Sequence, residues 1–239
     1  MKEPVLEAID VVKLLGSGAA EVQALKGVSL AVGAGELALL MGPSGSGKTT
    51  LLSILGCMLT PTGGTVRVGG LDTRGQEPEQ LAELRRRHIG FVFQSYHLFP
   101  TLNATDNVQL VLDVRGEYGR KAARRAQDAL AMVGLAHKLK SYPSQLSGGE
   151  QQRVAIARAI VGDAPAILAD EPTAALDSEN GHAIMTILSD IASDGARGVL
   201  VVTHDPRLVP FADRIVRIED GRIVGEERGP ARRKTKANA

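Results

Sequence analysis

The sequence predicts an α/β fold with a mainly parallel β-sheet, on three observations. First, four continuously apolar runs have the length of strands that are buried on both faces: LALLM, IGFVF, AILAD and VLVVT. Second, segments with helical spacing of apolar residues lie between these runs, such as residues 183–191 behind an expected N-cap at Asp177 or Ser178. Third, a Gly-rich motif directly follows LALLM, and such motifs join a strand to a helix in α/β proteins.

Composition limits the class of protein. The chain has 239 residues, 44% of them apolar, which is enough for one large domain or two small ones. No apolar run approaches the ~18 residues of a membrane span, so we expect any membrane-spanning part on another chain. The start, MKEPVLEAID, lacks the apolar segment of a signal peptide, which predicts a cytoplasmic location. A net charge of +1 gives no electrostatic argument for a nucleic-acid partner.

The remaining segments complete the expected organisation. Three β-rich segments interrupted by Gly predict a small antiparallel layer near the N-terminus: VLEAIDVV, VSLAV and TVRVGG. Asp220 and Gly221 separate two alternating runs and predict a hairpin. The single Cys57 lies in an apolar run and is expected to be a buried small side chain rather than a reactive thiol.

Residues from about 95 to 160 differ from the rest, because they hold two helical patterns and no obvious strand: EYGRKAARRAQDALAMV and the stretch after LSGGE. We interpret this part as a helical subdomain inserted into the α/β core. The whole is expected to be one domain over residues 1–228, followed by a basic and disordered tail over 229–239.

A phosphate-binding loop is the strongest local motif. The segment GPSGSGKT matches the pattern GxxxxGK[ST] between a predicted strand and a predicted helix, as in P-loop NTPases. Its glycines let successive N–H groups point at an anion, and the helix N-terminus adds partial positive charge. Lys48 is expected to reach the β- and γ-phosphates and the Thr49 hydroxyl to coordinate Mg²⁺, so the predicted ligand is a nucleoside triphosphate with magnesium. The predicted contacts are Gly42, Pro43, Ser44, Gly45, Ser46, Gly47, Lys48, Thr49 and Thr50.

Polar side chains follow three of the predicted parallel strands. Asp170 ends the run AILAD and Glu171 follows it, and adjacent side chains of a strand point in opposite directions. Asp170 is therefore expected to face the metal and Glu171 to orient the attacking water; a solvated turn is the alternative. Gln94 follows IGFVF and His204 follows VLVVT, and both should leave a parallel sheet at the same edge as the carboxylates. Either could instead be purely structural.

Together these segments resemble the ATP-binding cassette (ABC) ATPases over nearly the whole chain. The order is GPSGSGKT, Gln94, LSGGE, ILADEP, LD and His204. The resemblance implies ATP as the nucleotide and a second copy of the chain as partner. It assigns Ser147, Gly148 and Gly149 to the γ-phosphate held by that second copy, and Asp177 to the loop that touches the partner's site.

For the catalytic side chains, the resemblance implies that Glu171 is the general base, that Gln94 senses Mg²⁺ and the attacking water, and that His204 contacts the γ-phosphate. Ser147 and Glu150 also fit a helix capping box, and both interpretations can hold. The sequence departs from the family where an aromatic residue usually stacks on adenine. Leu15 stands at the equivalent position, with Val22 as a possible contributor, so weaker base discrimination is expected.

The segments IGFVFQSYHLFPTLNATDNV and EPTAALDSENG are similar to the branch of lipoprotein-releasing, macrolide-export and glycolipid-export ATPases and the bacterial cell-division cassette ATPase. The resemblance implies separate membrane permease subunits, a position at the cytoplasmic face of the inner membrane, and a hydrophobic or lipid-linked cargo. Residues 95–107 would meet the permease, with Tyr96, Leu98 and Phe99 either exposed to it or buried in the helical part.

Three functions remain open at this point: an ATPase subunit of a transporter, a non-transporting regulator that signals mechanically to a membrane partner, and a soluble DNA-maintenance or ribosome-associated ATPase. The short separation of Lys48 from Ser147 leaves no room for a long coiled coil, which disfavours the third. A simple P-loop kinase would not explain LSGGEQQ.

Overall fold

Ten strands and six α-helices form the part of the chain described by the computed structural model, residues 3–230. The strands are β1 (Leu6–Leu15), β2 (Val22–Val32), β3 (Leu37–Met41), β4 (Gly63–Val68), β5 (Leu71–Asp72), β6 (Ile89–Val92), β7 (Ala166–Asp170), β8 (Gly198–Thr203), β9 (Arg214–Glu219) and β10 (Arg222–Arg228). The helices are α1 (Lys48–Leu55), α2 (Pro78–His88), α3 (Ala104–Val114), α4 (Gly119–Met132), α5 (Gly148–Ile160) and α6 (Ser178–Ser193). Of the expected basic tail, residues 231–239 lie outside the described residues.

Two sheets organise these elements. The larger has the order β10-β9-β3-β8-β7-β6, and all its neighbouring strands are parallel except the β9–β10 hairpin. The smaller is antiparallel, with the order β2-β1-β4-β5. The predicted α/β class, the antiparallel layer and the hairpin are therefore confirmed.

The larger sheet is buried on both faces, and β3 shows how. All five of its residues are buried. Leu37, Leu39 and Met41 enter a core shared with α3 to α6, whereas Ala38 and Leu40 enter a second core shared with α1 and the antiparallel sheet. Since successive strand residues point to opposite faces, one continuous apolar run supplies both cores. Cys57 belongs to the second core, and burial raises its pKa to about 11, as expected for an unreactive thiol.

Helix starts follow local capping chemistry. The Asp177 side chain accepts a hydrogen bond from the N–H of Asn180 and caps α6, which decides between the two predicted caps. The helical part holds three long helices, whereas the sequence predicted two; the additional helix is α3. The Asn103 side chain caps α3 by accepting a hydrogen bond from the N–H of Asp106. Helix α2, which begins with Pro78, was also not recognised. Within residues 3–230, every helix is too short or too polar to span a bilayer.

Candidate functional site

The carboxyl ends of the parallel strands bring the predicted polar residues to one edge of the sheet. The register pairs Met41 with Thr203 and Asp170 with Val202, so β3, β7 and β8 end at nearly the same level. The chain segments that leave these ends carry the Gly-rich loop, Glu171 and His204. Three segments distant in sequence thus converge because the sheet is parallel, at the edge where open α/β sheets bind ligands.

The Gly-rich loop wraps around the Lys48 side chain. Gly47 caps α1 with φ of 99°, and a Cβ there would lie 2.7 Å from the carbonyl oxygen of Ala24, so only glycine fits. The Lys48 residue is 8% exposed, and its ammonium donates to the carbonyl oxygens of Gly42 at 2.8 Å and Pro43 at 2.7 Å. It lies at the N-terminus of α1, so a cation and the helix dipole favour an anion at the same place.

Two buried polar atoms near Lys48 lack a partner within the described part of the chain: Oγ of Ser46 and Oδ1 of Asp170. The Asp170 carboxylate accepts a hydrogen bond from the Thr49 hydroxyl, and its pKa is raised by burial and by the neighbouring Glu171. A buried carboxylate with an unsatisfied oxygen beside a hydroxyl suits a divalent cation. No group of three or more His, Cys, Asp or Glu that could hold a metal occurs in residues 3–230. Thr49 and Asp170 therefore fit Mg²⁺ that also takes ligands from a phosphate, as Mg²⁺ commonly does.

Glu171 is held in a fixed orientation just after β7. Its Oε1 lies 2.7 Å from Nδ1 of His204, and its Oε2 accepts a hydrogen bond of 3.2 Å from the Thr203 hydroxyl. Its φ is 46°, an unusual value for a side chain other than glycine. The Glu171 side chain is 16% exposed, whereas that of His204 is 68% exposed. One carboxylate with two partners and a partly open position is a suitable general base.

A cleft of about 640 Å³ connects these groups, a size typical of small-ligand sites. Most of the Gly-rich loop lines it, together with Gln94, Glu171 and His204, whereas Gly42, Ser46 and Asp170 are not among the lining residues. Leu15 and Val22 stand at its edge, paired across β1 and β2 and exposed by 40% and 64%. Among residues 3–230, no tryptophan, tyrosine or phenylalanine ring lines the cleft, so a base bound here would meet aliphatic side chains.

Ser147 and its two glycines lie apart from this cleft. Among the described residues, the cleft lining includes none of Ser147, Gly148, Gly149 and Asp177. Ser147 caps α5 through a capping box: its Oγ accepts from Glu150 N–H at 3.3 Å, and Oε2 of Glu150 accepts from Ser147 N–H at 2.8 Å. The start of α5, where Ser147 is exposed, is thus a second anion-compatible helix terminus outside the cleft that holds Lys48.

Both glycines of this segment are in close contact with side chains from elsewhere in the chain. A Cβ on Gly148 would lie 2.9 Å from the Tyr96 hydroxyl, and a Cβ on Gly149 would lie 2.4 Å from Oδ1 of Asn180. Nδ2 of Asn180 in turn donates to Oδ2 of Asp177 at 2.8 Å. The start of α5 is therefore packed between the loop after Gln94 and the first turn of α6, which Asp177 caps.

Several residues were not predicted to belong to this region. Thr203 orients Glu171, and Asp220 and Gly221 contribute to the cleft lining. Thr203 is a polar residue at the end of an apolar strand and precedes His204, so its position in the sequence was a signal that could have identified it. Asn180 and Tyr96 carried no local signal for their contacts with glycine.

Comparison with known proteins points to one family. A family model described as ABC transporter matches residues 25–174. The macrolide export ATP-binding/permease protein MacB of Burkholderia thailandensis is 45% identical over 230 residues, which cover 96% of this chain and 35% of that protein. The chain therefore spans about a third of the length of the curated relatives it matches.

Solved structures agree in fold and in sequence. The dimeric post-hydrolysis state of the ATP-binding cassette MJ0796 bound to ADP and Pi has a TM-score of 0.85 and 42% identity, covering 93% of this chain and 98% of that one. CbiO1 from Clostridium perfringens, described as part of the ABC transporter complex CbiONQ, has a TM-score of 0.84 and 26% identity, covering 95% of this chain and 89% of that one.

Proposed function

This chain belongs to the ABC transporter family, and from that premise we propose that it binds and hydrolyses ATP with Mg²⁺ as the energy-supplying subunit of a membrane transporter. The observation that carries the proposal is the separation of two anion-compatible helix starts. Lys48 lies inside the cleft, whereas Ser147 caps a helix outside it. A single copy uses one of these elements for its own nucleotide and offers the other to a second copy.

The polar residues in and beside the cleft divide the tasks of phosphoryl transfer to water among them. Lys48 and the N–H groups of the Gly-rich loop bind the phosphates, and Thr49 with Asp170 holds Mg²⁺, which neutralises phosphate charge when bound. Glu171 accepts a proton from the attacking water, because its carboxylate is fixed by Thr203 and His204 at the cleft wall. Gln94 orients the same water and the metal, and His204 also contacts the terminal phosphate.

The second copy completes the site. In a head-to-tail pair of chains, Ser147, Gly148 and Gly149 of one copy cover the phosphate bound to Lys48 of the other, and Asp177 contacts the partner's site. Two supports for this arrangement are the exposure of Ser147 and the dimeric structure of the related MJ0796 cassette. Binding of ATP then joins the copies and its cleavage releases them.

A groove of about 750 Å³ is the surface that we assign to the membrane partner. It lies between α2, α3 and the segment after Gln94. Phe99 and Val114 are 50% and 58% exposed there, while Tyr96 and Leu98 are partly buried. The related MacB protein is named an ATP-binding/permease protein, and this chain matches about a third of its length. A permease segment is therefore the occupant that we propose, with the chain at the cytoplasmic face of the inner membrane.

Export is the direction of transport that we propose, with a hydrophobic or lipid-linked cargo. The support is the macrolide export named for relatives at about 45% identity. We propose no nucleic-acid partner, consistent with the net charge of +1.

The test combines dimerisation with turnover. Glu171→Gln should retain ATP and form a stable dimer on size exclusion, with turnover reduced about 10²- to 10⁴-fold. Ser147→Arg should bind ATP on Lys48 as before but remain monomeric. Ser193→Arg, at an exposed serine that ends α6, is the matched control and should dimerise normally. Full hydrolysis by a monomer, or ATP-dependent dimerisation of Ser147→Arg, would overturn the proposed sandwich.

Transport requires the native complex. Solubilised membranes should yield the chain together with permease subunits, and the reconstituted complex should move cargo in liposomes only when Mg²⁺ and ATP are supplied. Recovery with ribosomes or nucleic acid and without a membrane protein would contradict the transporter function.

A further inference from the structure

Arg158 of α5 contacts the loop that follows Gln94. Its two terminal nitrogens donate to successive main-chain carbonyls, those of His97 at 2.5 Å and Tyr96 at 2.7 Å. A planar guanidinium makes two such bonds in one fixed fork, whereas the ammonium of a lysine sits on a flexible stem without that fixed geometry. No ion pair of Arg158 is found among residues 3–230, and burial lowers its pKa. The side chain is therefore used for these carbonyls rather than for a carboxylate.

The loop that Arg158 supports has a costly conformation. Tyr96 and His97 have φ of 60° and 49°, two consecutive residues in the left-handed region without a glycine. The N–H of His97 bonds to the carbonyl of Ser95 at 2.5 Å in a tight turn. Backbone of this kind persists where its surroundings hold it, and such sites often serve function. Arg158 is the side chain that bonds to both carbonyls of the turn.

The turn also packs against α5 at the other end of that helix. The Tyr96 hydroxyl lies against Gly148, where a Cβ would approach it to 2.9 Å. The His97 ring rests on Phe93 with centroids 4.7 Å apart, just before Gln94. Two separate contacts, at Gly148 and at Arg158, thus bind the turn to α5. We expect this turn to follow α5 when that helix shifts.

We propose that Arg158 is a positioning residue for Gln94: by holding the carbonyls of Tyr96 and His97, it sets the place of the Gln94 side chain in the cleft. The inference rests on the proposed hydrolysis of ATP and adds a residue that lines the groove assigned to the permease and not the cleft. Its consequence is a link between two sites. The start of α5 meets the partner's nucleotide, so engagement there fixes Gln94 at the chain's own nucleotide.

Kinetics of Arg158→Met and Arg158→Lys test the proposal, with the intact transporter complex or the full chain as the enzyme. Both variants should lower kcat, by about tenfold to a hundredfold for Met, the cost of a misplaced catalytic group. The Kd for ATP measured without Mg²⁺ should stay within about twofold, because the Lys48 loop is untouched. Lysine should recover only part of kcat, since its flexible ammonium lacks the rigid fork that fixes the two carbonyls relative to each other.

Arg125→Met is the matched control. Arg125 on α4 also donates to a main-chain carbonyl, that of Val161 at 2.8 Å, and unlike Arg158 it forms ion pairs, with Glu117 and Asp163. Within residues 3–230 it has no hydrogen bond to the turn after Gln94. Its variant should lower thermal stability without a comparable loss of kcat. If both variants lose kcat in proportion to their loss of stability, Arg158 has a structural role only and the proposal fails.

The decisive comparison uses Gln94→Ala as a background. If Arg158 acts through Gln94, Arg158→Met should lower kcat by less than about twofold once Gln94 is absent. Additive losses would overturn the inference while leaving ATP hydrolysis by the wild type intact. A wild-type complex without ATPase activity would instead refute the proposed function. Arg158→Lys, the milder change, serves the same comparison if the Met variant does not fold.

Discussion

Nδ1 of His204 lies 2.7 Å from Oε1 of Glu171, although the two residues follow different strands of the larger sheet. The contact exists because β7 and β8 are parallel neighbours that end together. It gives the expected general base a partner that fixes one of its oxygens, while Thr203 fixes the other. The two side chains should therefore act as a unit.

Double-mutant kinetics should reveal this unit. Glu171→Gln is expected to lower kcat about 10²- to 10⁴-fold and His204→Ala about 10- to 10³-fold. The double variant should be no slower than Glu171→Gln, because residues of one unit have non-additive effects. His137→Ala, at an exposed position, is the control and should hydrolyse ATP normally. Losses that multiply in the double variant would mean that the two side chains act independently.

Asp170→Asn should raise the stability of the nucleotide-free fold and weaken the binding of Mg²⁺. Burial raises the pKa of Asp170, so the folded chain binds this proton more tightly than the unfolded chain does. The ionised carboxylate therefore destabilises the nucleotide-free fold at neutral pH, and the asparagine removes that cost. We expect a higher Tm for the variant at neutral pH and a difference that shrinks as pH falls toward the usual Asp value of 3.8.

The same variant should lose the extra stabilisation that Mg²⁺ adds to ATP, as measured by thermal shift. Asp190→Asn, an exposed position on α6, is the control and should change stability by less than about 0.5 kcal/mol. If Asp170→Asn retained the Mg²⁺ effect, Asp170 would not be a ligand of the metal.

Leu15→Tyr should tighten nucleotide binding. Leu15 stands at the edge of the cleft and is 40% exposed, so a ring there can stack on the base. We expect the Kd for ATP to fall about 2- to 10-fold, the usual gain from an aromatic contact. Leu71→Tyr, at an exposed position outside the cleft, should leave the Kd unchanged. An unaltered Kd for Leu15→Tyr would show that the base lies elsewhere.

Glu150→Gln should show a pH-dependent stability difference from the wild type. The hydrogen bond from Ser147 N–H lowers the pKa of Glu150 below its usual 4.5, and Lys138 adds to the effect. The charged carboxylate therefore stabilises the fold above that pH, and this contribution is lost as pH falls through the lowered pKa. Glutamine keeps the capping bond but not the charge, so the wild-type advantage of less than about 1 kcal/mol should disappear in acid. Chemical denaturation at several pH values measures the difference, and a value that does not change with pH would contradict its electrostatic origin.

Val114→Asp should separate ATP chemistry from membrane association. Val114 is 58% exposed in the groove between α2 and α3, and a carboxylate there would oppose an apolar contact. The variant should dimerise with ATP but be lost from membrane complexes isolated by affinity purification. Val224→Asp, similarly exposed on β10, is the control and should co-purify normally. If Val114→Asp co-purified with the permease as well as the wild type does, the permease would bind a different surface of the chain.

Much of the fold was predictable because its signals are local. Parallel strands buried on both faces are continuously apolar, and the predicted runs became β3, β6, β7 and β8. Caps at Asp177 and Ser147 could also be predicted from short-range chemistry. Helices α2 and α3 were missed although each has a local start signal, Pro78 at the first position of α2 and the Asn103 cap of α3. Only Leu84 is buried in α2, so that helix has no continuous apolar stripe.

The sequence by itself determined the chemistry of the site: a Lys in a Gly-rich loop, two acids after a buried strand, and a Ser-capped helix with two glycines. The tertiary structure alone decided which of these groups meet. His204 contacts Glu171, Asn180 packs on Gly149, and Arg158 holds the turn after Gln94. The physical reason is that periodicity and capping depend on neighbours along the chain, whereas these contacts depend on how distant segments pack.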